Sequence, residues 1–237
     1  VTVLVDYALD FDGTNDNVSA NGAVSGIDNS DNLPLSVSVW VYPEDDTSSQ
    51  IVFGFFKNSP FSGNGPSVWY GTTDGKFEYH DAVSSNSVAS SSSSKDNWHH
   101  LVLTIGNDRG GILYVNGSSV ASFSAAFNSG GLDMFSLGMD YDNASNSAGT
   151  PSNYFNGKMD ELALWNDELS SAEVTAIYNS GKMFSVASNS GNYASASNLL
   201  AYFRLNEGSG TTLQDNSSNS NVGSINGTSW TAGFISK

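Results

Sequence analysis

The stretch LPLSVSVWVYP (33–43) sets Val37, Val39 and Val41 against Ser36, Ser38 and Trp40, the two-residue period of a β-strand. QIVFGFF, SVWYG, KFEYHDAV, HHLVLTIG, GILYV, SVASF and MFSLGM repeat that signal at short spacing, with turn residues between them. The Asp-Gly of TTDGKF and the Asn-Gly of YVNGSS favour two-residue turns, which predicts hairpins over 67–80 and 112–123. Many short strands joined by polar turns predict an all-β fold, an antiparallel β-sandwich of jelly-roll type. One short peripheral helix is expected near 170–180. Ser170-Ser171-Ala172-Glu173 reads as a capping box, Val174, Ile177 and Tyr178 follow at helical spacing, and Gly181 reads as the C-terminal cap.

The strand KMDELALW (158–165) poses a problem. Strict alternation groups Asp160 with Leu162 and Leu164, and Glu161 with Met159, Ala163 and Trp165. In either phase a carboxylate stands in line with residues that read as core, where an unpaired charge is costly.

Composition narrows the picture. A chain of 237 residues with 38% hydrophobic and 12% aromatic residues is globular, despite its many Ser, Asn and Gly. Without cysteine there is neither a disulfide framework nor a thiol nucleophile, although larger exported domains manage without bridges. Asp and Glu outnumber Lys and Arg by 24 to 8, for a net charge of -16. Such a surface repels nucleic-acid phosphates and anionic lipid and suits divalent cations and neutral ligands; solubility alone explains it equally well. No apolar run approaches membrane-spanning length and no signal-peptide pattern is read. Opening on VTVLVDYALDF, a strand-like run, is expected of a mature domain or of a piece of something longer. SSNSVASSSSSKDN (84–97) reads as a loop, and SVASNSGNYASASN (185–198) separates a last segment of the chain.

Three motifs carry a family resemblance: ALDFDGTNDNVSA (8–20), NWHHLVLTIGNDRGGILYVNGSSV (97–120) and FNGKMDELALWNDELSSAEVTAIYNSG (155–181). In this order the chain resembles the LamG-like, concanavalin A-like jelly-roll domains of bacterial and phage surface proteins. The segment 199–237 resembles the stretch that precedes the FDG motif in similar domains, here displaced to the end. One unit of a tandem array cut out of phase, or a circular permutation, would each explain it. In the permutation the last strands complete the N-terminal sheet; on either reading 1–237 is a single domain whose complete jelly roll needs both pieces. Closure within the chain is expected, with strand exchange between molecules as the rival.

The resemblance also implies a structural calcium ion between the FDG turn and the D-E strand. In this sequence that would gather Asp12, Asp16 and a carbonyl of Thr14 or Asn15 towards Asp160; calcium takes six to eight oxygens. The competing reading makes Asp160 an acceptor of backbone hydrogen bonds with no metal. A second polar cluster, in 138–157, offers Asp140, Asp142 and Asn143 with Tyr141 and Tyr154, a set suited to a sugar site or simply to a solvated loop. Trp69 and Tyr79, with Tyr70 and Phe77, lie in the first hairpin, and alternation sends some outward as a sugar platform and some into the core. His80, His99 and His100 read as structural or surface residues. Catalytic signatures are missing: Asp74, Glu78 and Asp81 lack the spacing of a glucanase carboxylate set, and neither a nucleophile elbow nor an HExxH occurs.

The expectation is therefore a non-catalytic, calcium-stabilised module that binds glycan or cell-surface polysaccharide. It would work in adhesion outside the cell or on a cell or virion surface, beside neighbouring domains of a tandem array. A spacer domain without a small ligand is the alternative, and a glycan hydrolase or lyase the weaker one.

Overall fold

The computed structural model describes residues 6–25, 33–58, 61–71, 75–80, 88–89, 95–124, 132–142 and 150–234. Among them run eighteen strands, β1 to β18 in chain order, and two α-helices. The first sheet has the order β10 (Ser118–Ser124), β9 (Gly110–Val115), β8 (His99–Ile105), β3 (Leu35–Pro43), β14 (Asn156–Trp165), β1 (Tyr7–Asp12), β18 (Ser229–Ala232). β15 (Leu199–Phe203) also pairs with β14. The second sheet runs β16 (Thr212–Gln214), β17 (Val222–Asn226), β2 (Asn17–Ser19), β11 (Met134–Leu137), β4 (Gln50–Asn58), β5 (Phe61–Tyr70), β6 (Phe77–His80), β7 (Val88–Ala89). A separate hairpin joins β12 (Asp140–Asp142) to β13 (Thr150–Ser152). The segment after residue 198 thus contributes strands to both sheets of its own chain.

The sheets enclose one core. Leu9, Phe11, Val37, Val39, Val41, Leu101 and Leu103 from the first meet Phe53, Phe55, Val68, Tyr70, Phe77, Tyr79 and Phe135 from the second. Burying each such side chain stabilises the fold by about 1.5–3 kcal/mol. The outer face of the first sheet is covered as well. There Val102, Tyr114, Ala163 and Trp165 pack beneath Leu169 and beneath Val174 and Ile177 of α2 (Ser171–Tyr178).

Local signals behave as chemistry dictates. Asn116 and Gly117 both take positive φ in the β9–β10 turn, as a primed two-residue hairpin requires. β5 and β6 pair from Ser67–His80 to Tyr70–Phe77, while Asp74 of the intervening turn lies outside the described residues. The capping box of α2 forms, with Ser170 Oγ accepting from Glu173 N–H. The helix ends earlier than read: the left-handed cap is Asn179, φ 48°, and Gly181 lies two residues beyond. Asparagine adopts this conformation at low cost because its short polar side chain bonds locally.

The KMDELALW strand departs from alternation. Its ladder with β3 shifts between Asp160 and Ala163, and Glu161 has φ 51°. This is a β-bulge, in which two residues oppose one. Met159, Leu162 and Leu164 therefore all face the core. Asp160, opposite Trp40, and Glu161, bonded to Tyr202, turn to the outer side. Neither carboxylate stands among the leucines after all. Asp160 accepts hydrogen bonds from Glu161 N at 2.8 Å and Phe234 N at 3.1 Å. Glu161 accepts from the Tyr202 hydroxyl and from Arg204 Nε at 3.4 Å.

Burial, reinforced by Glu161 and Asp6, holds Asp160 well above the usual carboxylate range. Burial likewise pushes Glu161 up to about 7, against the lowering effect of Tyr202 and Arg204. A carboxyl raised from 4.5 to about 7 keeps its proton longer in the folded chain. Its stabilising effect is full below pH 4.5 and is lost as pH rises towards 7. Buried His100, pushed down to about 3, acts in the opposite sense below 6.5; it is common to both proteins and cancels in the difference. Glu161→Gln is expected to lose less stability than the parent as pH rises between 4.5 and 7. The gap should widen steadily across that window, and the loss of the Glu161 charge beside Asp160 adds to it. Parallel stability curves in chemical denaturation would refute this.

Candidate functional site

The outward phase of the second sheet's strands carries small polar residues, exposed at Thr212 and Ser224 and buried at Ser136 and Ser67. The register aligns Thr212, Ser224, Ser19, Ser136, Gly54, Ser67 and His80 on seven consecutive strands. Six inter-strand spacings of about 4.8 Å make this row roughly 29 Å long. Val68, Tyr70, Phe77 and Tyr79, at the intervening positions, point into the core.

Aromatic residues gather over the β4–β6 end of the row. Ile51, Phe56 and Met134 form a small cluster against which Trp69 and Tyr141 pack, both partly buried. A Cβ on Gly54 would lie 2.6 Å from Phe56 Cζ and 2.9 Å from Ile51 Cδ1, so the glycine lets these two side chains lie across the sheet. Trp69 Nε1 donates to Ser67 Oγ at 2.9 Å, and Ser67 Oγ to the His80 carbonyl at 3.2 Å. The His80 ring sits 5.5 Å from the indole and meets Glu78 Oε2 through Nε2 at 3.0 Å. The indole is thereby fixed in orientation before any ligand arrives.

The β12–β13 hairpin borders this end. Ile51 N donates to Asn153 O at 2.9 Å, and the Tyr141 ring meets Phe56 edge-on at 5.7 Å. Burial, then the neighbouring Tyr154, raises the Tyr141 hydroxyl above its usual range.

Of the residues expected to bind ligand, Trp69 and Tyr141 meet on one cluster, with Tyr154 beside Tyr141. Tyr79 does not join them. It is buried in the core, stacked on Phe123 at 3.6 Å, because its strand phase is opposite to that of Glu78 and His80. Asp140 is turned into the protein. Asp142 pairs with Thr150, and Asn143 lies outside the described residues, as do Asp74 and Asp81. His80, Glu78 and Ser67 belong to the face although the sequence reading had set His80 aside. The signal was present, since SVWY and KFEYH place Ser67, Trp69, Glu78 and His80 in one phase of two paired strands.

The residues expected to hold calcium do not come together. In the β1–β14 ladder Asp12 faces Asn156, four residues from Asp160, about 13 Å along the strand. Asp12 Oδ1 accepts from Thr14 N at 2.8 Å, and Asp16 Oδ2 accepts from Asp12 N at 2.9 Å. The Asn15 carbonyl accepts from Asn17 Nδ2 at 3.4 Å. The FDG turn thus bonds to itself, Asp160 bonds to backbone N–H groups, and the five residues do not fit one ion. Among the described residues no group of three or more His, Asp or Glu side chains is placed to hold a metal.

A model of the concanavalin A-like lectin/glucanases superfamily matches residues 12–175, and the chain belongs to that superfamily. No curated protein matches it. Among solved structures it is similar to a proposed carbohydrate-binding protein of Bacteroides ovatus, with TM-score 0.62 and 15% identity. That match covers 97% of this chain, which spans only 60% of the other. The IT-sialidase CBM40 of Ruminococcus gnavus, bound to α2,3-sialyllactose, matches with TM-score 0.57 and 13% identity over 72% of this chain and 95% of that one. The heptameric SAP-like pentraxin of Limulus polyphemus matches with TM-score 0.55 and 14% identity over 75% and 84%. At these identities the likeness is one of fold. No helix among the described residues is long and apolar enough to cross a membrane.

A saturated calcium site at a hundredfold excess over its Kd would add about 2.7 kcal/mol and several degrees of Tm. The expected result is the same Tm in chelator and in calcium, for the parent and for Asp160→Asn alike. A saturable, calcium-specific rise that Asp160→Asn abolishes would restore the ion.

Proposed function

We propose that the protein is a non-catalytic glycan-binding module that receives an extended, neutral oligosaccharide along the outer face of its second sheet. It would serve at a cell or virion surface as part of a larger adhesive or multidomain assembly. The observation that carries this reading is the oriented Trp69 indole, with Tyr141 on the same cluster, at one end of a row of hydroxyl-bearing residues. An aromatic ring offers an apolar surface with a polar handle held in place, suited to the C–H face of a sugar, and the exposed hydroxyl residues Thr212 and Ser224 further along the row suit its hydroxyls. The net charge of -16 disfavours an anionic glycan. The carbohydrate-binding descriptions of the Bacteroides and Ruminococcus proteins support a glycan as ligand; the sialyllactose of the latter is anionic, so the neutral preference rests on this chain's charge. The carbohydrate-binding module among the similar structures supports binding without turnover. Calcium has no part in the reading.

A defined-glycan array followed by calorimetry tests it. Trp69→Ala is expected to raise the Kd of the best neutral oligosaccharide at least about tenfold, or about 1.4 kcal/mol. Tyr79→Phe, facing the core, should leave it unchanged, and mass spectrometry should recover the glycan intact. An array without neutral binders would favour a spacer domain, and cleaved glycan a hydrolase or lyase.

A further inference from the structure

A cleft of about 390 Å³ lies away from the Trp69 face, within the roughly 300–1,000 Å³ of typical small-molecule sites. It opens between α1 (Asn21–Ser25), the end of β14, β15 and the loop from β16 to β17. Asn166, Ser197, Asn219 and Asn221 supply its polar lining, and Leu199 and Leu200 part of its apolar lining. Among the described residues no charged side chain lines it.

Two of the amides are held in a fixed orientation. Asn219 Nδ2 donates to the carbonyls of Leu199 at 2.7 Å and Leu200 at 3.0 Å, and Asn221 Nδ2 donates to Leu200 O at 2.7 Å. These bonds cover the open edge of β15, which would otherwise present bare carbonyls. They also decide what the cleft offers. Asn219, with both amide hydrogens committed, leaves its carbonyl oxygen as acceptor, while Asn221, with one committed, keeps an oxygen and one N–H. Gly22 leaves one of them approachable, since a Cβ there would lie 3.0 Å from Asn221 Oδ1. Asn166, exposed at the opposite wall, adds an amide that both donates and accepts.

Uncharged donors and acceptors at several points call for a neutral ligand with several hydrogen-bonding groups. Among the described residues a metal ion would find no carboxylate in the lining, and an anion no cationic side chain. Sugar hydroxyls, which both donate and accept, match such a lining. We propose that this cleft is a second saccharide site for neutral sugars, independent of the Trp69 face.

The test is a ¹H–¹⁵N NMR titration of the whole chain with maltotriose, cellotriose and chitotriose, each to about 50 mM, far above the Kd of millimolar sites. At least one should shift the side-chain amides of Asn166, Asn219 and Asn221 saturably. Asn166→Trp, which fills the cleft from an exposed position, should raise that Kd at least tenfold while the Trp69 indole signal behaves as in the parent. Ser197→Trp serves the same purpose if Asn166→Trp loses its native amide dispersion. Trp69→Ala should leave the cleft shifts intact. The proposal fails if no trisaccharide shifts these amides, if the filled cleft responds like the parent, or if Trp69→Ala removes the response.

Discussion

β14 and its bulge hold the molecule together. The strand pairs with β1, β3 and β15, so it joins the N-terminal segment to the C-terminal one. The extra residue at Asp160–Glu161 puts two carboxyls outside the main core and next to the groups that satisfy them. Those groups come from the end of the chain: the Phe234 N–H for Asp160, and Tyr202 and Arg204 for Glu161. Phe234 in turn stacks on Trp40 at 3.9 Å, and Gly233 N bonds to Asp6 O at 3.0 Å. A buried carboxyl deprived of its hydrogen-bond donors is costly, so the bulge ties closure to donors from the last strands. The conformational cost of Glu161 at positive φ is met by these bonds.

The two sheets are covered differently among the described residues. α2 and the segment after it cover the first sheet's outer face with a second apolar cluster. Over the second sheet, among the described residues, the β12–β13 hairpin borders one end of the outer face. The row of small residues across it is continuous only because β16 and β17, from the end of the chain, pair with β2 from its beginning.

Legibility followed the range of the interactions. The Asn116-Gly117 turn and the Ser170–Glu173 box depend on neighbours within four residues and were readable directly. Which phase of a strand faces the core depends on the partner sheet. The sequence therefore left Trp69 and Tyr79 equivalent, although the paired strands place them on opposite faces. The bulge could not be seen from KMDELALW, because nothing in those eight residues marks the extra one. The calcium set was misgrouped for a similar reason. Motif order brings β1 beside β14, but only the register reveals that Asp12 faces Asn156 and that Asp160 sits four residues further on. The amide-lined cleft rests on Asn219 and Asn221, in a stretch whose composition reads as an ordinary polar loop.

The most direct measurement is a crystal structure of the protein with the neutral oligosaccharide that binds it most tightly. The account expects one sugar ring stacked on the Trp69 indole, with its chain running along the row from His80 towards Ser136. An ordered oligosaccharide seated elsewhere, with the Trp69 face empty, would contradict it.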